Sequence, residues 1–176
     1  MFNFANYNYS YERTNTIRSN TSRFDHNHSS KSVSLEIIEK KRAKILIVDD
    51  NCYNSEATKN ILNKIFKESR SERDIIICSD GVDILYQIIQ DQSRGNEIKC
   101  IITDENMEYI NGSEAIRIIR NLERCNKIKF VNIISATGND EYQYTSEIIK
   151  AGAQLVLSKP IQKATIKRAL EELNII

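Results

Sequence analysis

From about residue 44 onward, apolar residues fall into two alternating kinds of cluster. Short uninterrupted runs, such as Ile45–Val48 and Cys100–Ile102, lack the alternation of a half-exposed strand and are typical of parallel strands buried on both faces. Longer stretches repeat apolar residues every three or four positions, as Ala57, Ile61 and Ile65 do, and predict amphipathic helices. The pattern therefore predicts strand and helix units in alternation.

Five such units follow one another along the chain. The predicted strands are Ile45–Val48, Asp74–Cys78, Cys100–Ile102 with Thr103 at its end, Phe130–Ile134 and Gln154–Ser158. A helix is predicted after each, beginning near Asn51, Val82, Gly112, Glu141 and Ile166. Strict alternation indicates an α/β fold, a doubly wound five-stranded parallel sheet with the flavodoxin-like order 2-1-3-4-5.

The first 42 residues differ in character from the rest. They are rich in Asn, Ser and Tyr and show no sustained apolar period, so we expect a disordered extension over residues 1–42, in which residues 34–42 could form a short helix. Both histidines, His26 and His28, lie there without the further ligands a metal site would need. The folded domain is expected over residues 43–176.

Composition excludes several classes of function. The 25 basic and 24 acidic residues nearly cancel, so the bulk charge favours neither nucleic acid nor an anionic membrane as a partner. The four cysteines form no CxxC pair and indicate neither a zinc site nor a disulfide framework. No apolar run approaches the roughly 18 residues needed to span a bilayer, and no signal peptide is evident. We expect a cytoplasmic protein.

Acidic residues stand where two of the predicted strands end. Asp49 and Asp50 follow the first strand and Asp104 follows the third, and these strands are neighbours in the predicted order. Three converging carboxylates repel one another unless a divalent cation with oxygen ligands, most plausibly Mg²⁺, joins them. Asp104 is the best-placed nucleophile, although any one of these residues alone could be a helix cap.

Later strands end in groups that suit phosphoryl transfer. That chemistry needs a fixed cation and a hydroxyl aimed at the phosphoryl oxygens. Lys159 follows the fifth strand immediately before Pro160, and Thr137 stands near the end of the fourth. Taken singly, Lys159 could be a solvated lysine and Thr137 a turn residue, but together with the acidic residues they form a consistent set at one sheet edge.

Residues from about 43 to 173 resemble a receiver domain of the response-regulator family, including the receivers of eukaryotic hybrid histidine kinases. The residues that carry the resemblance are VDDN at 48–51, ITDENM at 102–107, Gly112, Thr137-Gly138, Gly152-Ala153 and Ser158-Lys159-Pro160.

The resemblance implies a role for each of these groups. Asp104 would be the phosphoacceptor, taking a phosphoryl group from a phosphohistidine of a histidine kinase or histidine phosphotransfer protein. Asp49 and Asp50 would hold Mg²⁺ together with Asp104 and the backbone carbonyl of Asn106. Thr137 and Lys159 would be the switch hydroxyl and the cation that engage the product.

The same resemblance implies a signalling domain, which catalyses only its own phosphoryl transfer and slow autodephosphorylation. Phosphorylation would switch the surface around helix 4, strand 5 and helix 5, including Tyr142, Tyr144 and Val156. A cis peptide bond is expected between Lys159 and Pro160.

Departures from the family pattern leave alternatives open. Glu108 stands where receivers very often have proline, and Val156 replaces the aromatic residue common on strand five. These departures favour an alternative function as a receiver-like docking module that is not phosphorylated. A hydrolase is disfavoured because Asp104-Glu105-Asn106 lacks the second carboxylate of a DxD pattern. Ser135 is a second candidate for the switch hydroxyl.

Overall fold

The computed structural model describes residues 43–94, 97–138 and 142–176 of the chain. The predicted disordered extension over residues 1–42, with its short helix at 34–42, lies outside these residues, as does Glu141 at the predicted start of the fourth helix.

Five strands alternate with five helices over the described residues. They are β1 Lys44–Val48, α1 Cys52–Glu68, β2 Asp74–Cys78, α2 Gly81–Arg94, β3 Ile98–Asp104, α3 Gly112–Arg124, β4 Asn132–Thr137, α4 Tyr142–Ala151, β5 Leu155–Ser158 and α5 Lys163–Glu172. The strands form one parallel sheet in the order β2-β1-β3-β4-β5. The predicted fold class and strand order are confirmed.

Strand register brings the ends of the central strands to one level. The pairs at this edge are Val48 with Thr103, Asp104 with Ala136, and Thr137 with Ser158. Asp49 directly follows the first of these pairs and Lys159 the last. The loops after β1, β3 and β5 therefore leave the sheet at the same carboxyl edge, where ligands bind in open α/β sheets.

The core consists of two apolar layers, one on each face of the sheet. Both layers are built from the apolar stripes of the helices, as amphipathic helices packed on a buried sheet require. One layer joins the sheet to α1 and α5 through Leu62, Ile65, Phe66, Ile166 and Leu170; the other joins it to α2, α3 and α4 through Ile84, Ile88, Ile116, Ile119 and Ile148.

The predicted bounds of the fourth strand were wrong at both ends. β4 begins at Asn132 and runs on through Thr137, whereas Phe130 precedes the strand and is 65% exposed. The apolar run that predicted this strand ends before Ser135. However, β4 lies between β3 and β5, and a strand held by backbone hydrogen bonds to two neighbours tolerates small polar side chains. The extension places Thr137 in the sheet itself.

Among the described residues, none of the helices combines the length and apolar character that crossing a bilayer requires.

Candidate functional site

An ion-paired cluster of two aspartates and one lysine lies at the carboxyl edge of the sheet. Lys159 Nζ is 2.7 Å from Asp49 Oδ2 and 2.9 Å from Asp104 Oδ2. Both carboxylates are buried. The Lys159–Pro160 peptide bond is cis, as the family resemblance implied. The Lys159 amide donates to the Thr137 carbonyl at 2.8 Å, which fixes the loop after β5 against the end of β4.

The first turn of α1 orients Asp49. Asn51 caps this helix, since its side chain accepts from the Tyr53 amide at 2.9 Å. Asp49 is thereby left to accept from the Asn51 amide at 3.0 Å and from Asn54 Nδ2 at 3.3 Å, both through Oδ1. Its other oxygen faces Lys159. Asp49 is therefore held in place by the start of α1 but is not its cap.

Asp104 is held in a corresponding way. Its Oδ1 accepts from the Glu105 amide at 2.8 Å, and its Oδ2 faces Lys159. Each buried carboxylate thus has one oxygen fixed by backbone and one directed at the same ammonium.

A third carboxylate joins the cluster from the solvent side. Asp49, Asp50 and Asp104 each offer an oxygen within 4.8 Å of the others, and Asp50 is exposed. Three carboxylates and one ammonium leave the cluster with a net charge of −2. Hard oxygen donors with this charge, open to water on one side, fit Mg²⁺, which keeps several of its own waters.

Lys159 is protonated in this setting. Burial on its own would lower the pKa of the Lys159 ammonium, but its hydrogen bonds and charge interactions with Asp49 and Asp104 outweigh burial and raise that pKa above its usual value. The Lys159 side chain therefore keeps its positive charge throughout the physiological pH range.

A further buried carboxylate, that of Glu105, follows Asp104 directly in the chain. Burial raises the pKa of Glu105, against the lowering effect of a hydrogen bond from Ser113 Oγ. Its Oε2 is buried and has no hydrogen-bond partner among the described residues. The Gly112 amide donates to the Glu105 carbonyl at 3.0 Å, and a Cβ at Gly112 would lie 2.9 Å from Oε2 and closer still to the Asp104 carbonyl oxygen. The loop after β3 therefore requires glycine at position 112.

Thr137 reaches the site from β4 and is fully buried. In the first turn of α4, the Tyr144 hydroxyl donates to Asn106 Oδ1 at 3.2 Å. Burial raises the pKa of Tyr144, and the nearby negative charges of Glu105 and Asp104 add to this effect. The phenol is therefore neutral and available as a donor at physiological pH.

These features were compared with known proteins. The family model described as the response regulator receiver domain matches residues 45–171, which is most of the chain. The chain belongs to this family.

Relatives of two kinds are similar to this receiver. It is 32% identical over 129 residues to hybrid signal transduction histidine kinase L of Dictyostelium discoideum, a match that covers 73% of this chain and 7% of the kinase. It is 26% identical over 139 residues to chemotaxis protein CheY-3 of Vibrio cholerae, covering 79% of this chain and 97% of that protein. The receiver thus spans only a small part of the hybrid kinases but nearly the whole of the chemotaxis proteins.

Solved structures agree on the fold. The crystal structure of a response regulator receiver domain protein from Clostridium thermocellum superposes with a TM-score of 0.59 at 22% identity, and covers 74% of this chain and 93% of that chain.

Sequence reasoning did not find every residue of this receiver's site. Asp49, Asp50, Asp104 and Lys159 were expected together and lie together, with Thr137 at the same sheet edge. The contact that the structure shows for Asn106 is made by its side chain and not by the backbone carbonyl that was expected to hold the metal. Asn54, Glu105 and Ser113 were missed, although Glu105 follows Asp104 directly and could have been considered. Tyr144 was assigned to the signalling surface, because nothing in the sequence shows which way its side chain faces.

Proposed function

We propose that this receiver accepts a phosphoryl group on Asp104 from a phosphohistidine, and so acts in a phosphorelay. The observation that carries the proposal is the Lys159 ammonium placed between the Oδ2 atoms of Asp49 and Asp104. A single cation that contacts both carboxylates already lies where the charge of an incoming phosphoryl group would develop.

Asp49, Asp50 and Asp104 would hold Mg²⁺, with Asn106 adding its backbone carbonyl as the family resemblance implies. When bound, the cation would neutralise phosphoryl oxygens and orient the group. The net charge of −2 on the cluster supports a divalent rather than a monovalent ion.

The chain's own groups would carry out the transfer. Asp104 Oδ2, the oxygen directed at Lys159, would attack phosphorus; the phosphorus–nitrogen bond of the donor would break, and its electron pair would return to the imidazole nitrogen. Lys159 would exchange its contact with Asp104 for one with a phosphoryl oxygen. The hydroxyl of Thr137 would turn towards another of these oxygens.

The signal would leave through α4, β5 and α5. Thr137 is paired with Ser158 across the sheet, and its carbonyl accepts from the Lys159 amide, so a shift at Thr137 acts directly on the end of β5. The phosphoryl group can shift this surface between two packings only by the difference in its interaction free energy with them, which is a few kcal/mol at most. The donor is a histidine kinase or a histidine phosphotransfer protein, and we expect the relay to act in the cytoplasm.

Phosphorylation by a small phosphodonor tests the proposal. The chain is incubated with phosphoramidate and Mg²⁺ and its intact mass is followed. We expect a mass gain of one phosphoryl group, its disappearance in Asp104→Asn and on chelation of Mg²⁺, and its retention in Asp80→Asn. Asp80 is a suitable control because it also follows a strand, yet it caps α2 through the Val82 and Asp83 amides, a role that Asn fills equally well.

Transfer from a histidine kinase then tests the donor class. The kinase is first labelled with phosphate on its histidine, and transfer of the label to the wild-type chain but not to Asp104→Asn is expected. A chain that binds the kinase without gaining mass from either donor would overturn phosphoryl acceptance and favour the docking-module alternative.

A further inference from the structure

The carboxyl group of Glu105 is buried next to the phosphoacceptor, and the proposed function does not use it. Glu105 is 6% exposed, and its Oε1 accepts from Ser113 Oγ. Its Oε2 has no hydrogen-bond partner among the residues that the structure describes. Burying a carboxyl group with one oxygen unpaired costs free energy, which an apolar side chain of similar size would not. Stability of the fold therefore does not account for a glutamate at this position.

Glu105 closes the loop between β3 and α3 at its base. Its amide donates to Asp104 Oδ1 at 2.8 Å. From the other end of the loop, the Gly112 amide donates to the Glu105 carbonyl at 3.0 Å and the Ser113 hydroxyl donates to the Glu105 carboxylate. Gly112 and Ser113 are the first two residues of α3, and we call their two bonds to Glu105 the Glu105 clamp. One residue thus holds an oxygen of the phosphoacceptor and joins both ends of the loop.

The loop between these ends, residues 105–111, depends on such contacts for its conformation. It contains no proline, whose ring would fix part of the backbone. Asn106 directly follows the clamped residue, and its backbone carbonyl is the expected fourth ligand of Mg²⁺. Hydrogen bonds across the base of the loop restrict the conformations open to the residues within it. The clamp therefore restricts where the Asn106 carbonyl can lie relative to Asp104.

We propose that Glu105 is a positioning residue, whose carboxylate holds the loop after β3 in the conformation that binds Mg²⁺ through Asp104 and Asn106. The inference rests on the proposed function, because Asp104 and the Asn106 carbonyl are metal ligands only there. Groups that orient metal ligands typically change metal affinity by about 10- to 100-fold when they are removed. The clamp acts on the ligands through the backbone, so we expect the smaller of these effects, roughly 10-fold.

Two substitutions separate the clamp from the charge of Glu105. Ser113→Ala removes the hydroxyl and keeps the carboxylate, whereas Glu105→Gln removes the charge and keeps an oxygen that can accept from Ser113. The dissociation constant of Mg²⁺ is measured on the full chain by NMR titration with magnesium chloride. We expect roughly 10-fold weaker binding in Ser113→Ala and a smaller loss in Glu105→Gln.

Ser55→Ala is the matched control. Ser55 is also a buried serine in the first turn of a helix, but its hydroxyl donates to the Cys52 carbonyl at 3.1 Å, within α1. We expect the affinity for Mg²⁺ to be unchanged in Ser55→Ala.

A double variant distinguishes positioning from a general loss of stability. Ser113→Ala leaves the buried Oε1 of Glu105 without its donor and should unfold at a lower urea concentration than the wild type. Glu105→Met combined with Ser113→Ala replaces both partners by apolar groups and should unfold at the wild-type urea concentration or above it. Its Mg²⁺ binding should nevertheless stay roughly 10-fold weaker than that of the wild type.

A further readout needs no metal. Without Mg²⁺, the Gly112 amide should exchange its hydrogen roughly 2- to 10-fold faster in Ser113→Ala than in the wild type, since the neighbouring bond of the clamp is lost. Unchanged exchange would show that the side chain of Glu105 does not hold the loop.

The outcomes separate the two proposals. Wild-type affinity for Mg²⁺ in Ser113→Ala, a loss in Glu105→Gln as large as in Ser113→Ala, or recovery of affinity together with stability in the double variant overturns the role of Glu105 alone. A wild-type chain that binds no Mg²⁺ overturns the proposed function, and the role of Glu105 falls with it.

Discussion

Replacing Lys159 by methionine is the most direct test of the electrostatics of the site. Methionine keeps the length and apolar contacts of the lysine stem and removes only the ammonium, leaving Asp49 and Asp104 without the cation they share. We expect Lys159→Met to be less stable than the wild type in Mg²⁺-free buffer, and to recover stability when Mg²⁺ is added.

The structure sets the size of this loss. Removing one partner of a fully buried ion pair costs about 3–5 kcal/mol, because the other charge remains buried. The side chains of Asp49 and Asp104 are 8% and 9% exposed, but that of Lys159 is 19% exposed, which admits water to the site. The expected loss of free energy of unfolding is therefore smaller than for a fully buried pair, about 2–3 kcal/mol.

Magnesium should then stabilise the variant more than it stabilises the wild type. Without the ammonium, which repels a divalent cation, the carboxylates bind that cation more tightly, and tenfold tighter binding would add about 1.4 kcal/mol to the stabilisation at saturating Mg²⁺. Urea unfolding with and without Mg²⁺ measures both the stability that the variant loses and the stability that Mg²⁺ restores.

Lys163→Met is the matched control. Lys163 pairs with Glu68 at 2.6 Å, closer than either contact of Lys159, but both side chains are largely exposed. We expect no measurable loss, because solvent screens exposed pairs. If Lys159→Met unfolds at the same urea concentration as Lys163→Met, or if Mg²⁺ stabilises it no more than the wild type, the electrostatic account of the site is wrong.

Three further predictions concern the framework of the site. Gly112→Ala should lower the free energy of unfolding by about 1–3 kcal/mol, since its Cβ would overlap the loop after β3; unchanged stability in urea would contradict this. Arg120→Met should cost roughly 2–4 kcal/mol by thermal unfolding, because the guanidinium donates to the Val131 and Gly152 carbonyls; a loss within error would show that these bonds are replaced by water. At pH 8 a thiol reagent should label two cysteines in the native protein and four in the unfolded one, since burial raises the pKa of two thiols to about 12. The protected cysteines are Cys78 and Cys100, and the exposed ones are Cys52 and Cys125.

Strand ends were the most predictable part of the molecule. Apolar runs buried on both faces stand out from their surroundings, and once the strand order is known, register brings residues such as Asp49 and Asp104 together. The end of β4 was an exception, because Ser135 and Thr137 are polar yet buried in the sheet, and β3 also begins two residues before its predicted start, at Ile98. A rule that ends a strand where apolar residues end cannot recognise a strand held mainly by its two neighbours.

Residues that helices bring to the site were harder to predict. Asn54 and Tyr144 lie in the first turns of α1 and α4. Whether a side chain there faces the sheet edge or solvent depends on the rotation of the helix about its axis. Tyr142 and Tyr144 are two positions apart and share a helix, but the first is exposed and the second is half-buried and donates to Asn106. Local sequence around the two residues does not distinguish them; only packing against the sheet does.

This difference between strands and helices bears on what distinguishes one receiver from another. The carboxylates and the lysine are set by the sheet edge, and their geometry follows from register alone. Contacts made from helices, such as that of Tyr144 with Asn106, depend instead on how each helix is rotated and packed against the sheet. Receivers with the same sheet edge can therefore differ in the side chains that their helices bring to it.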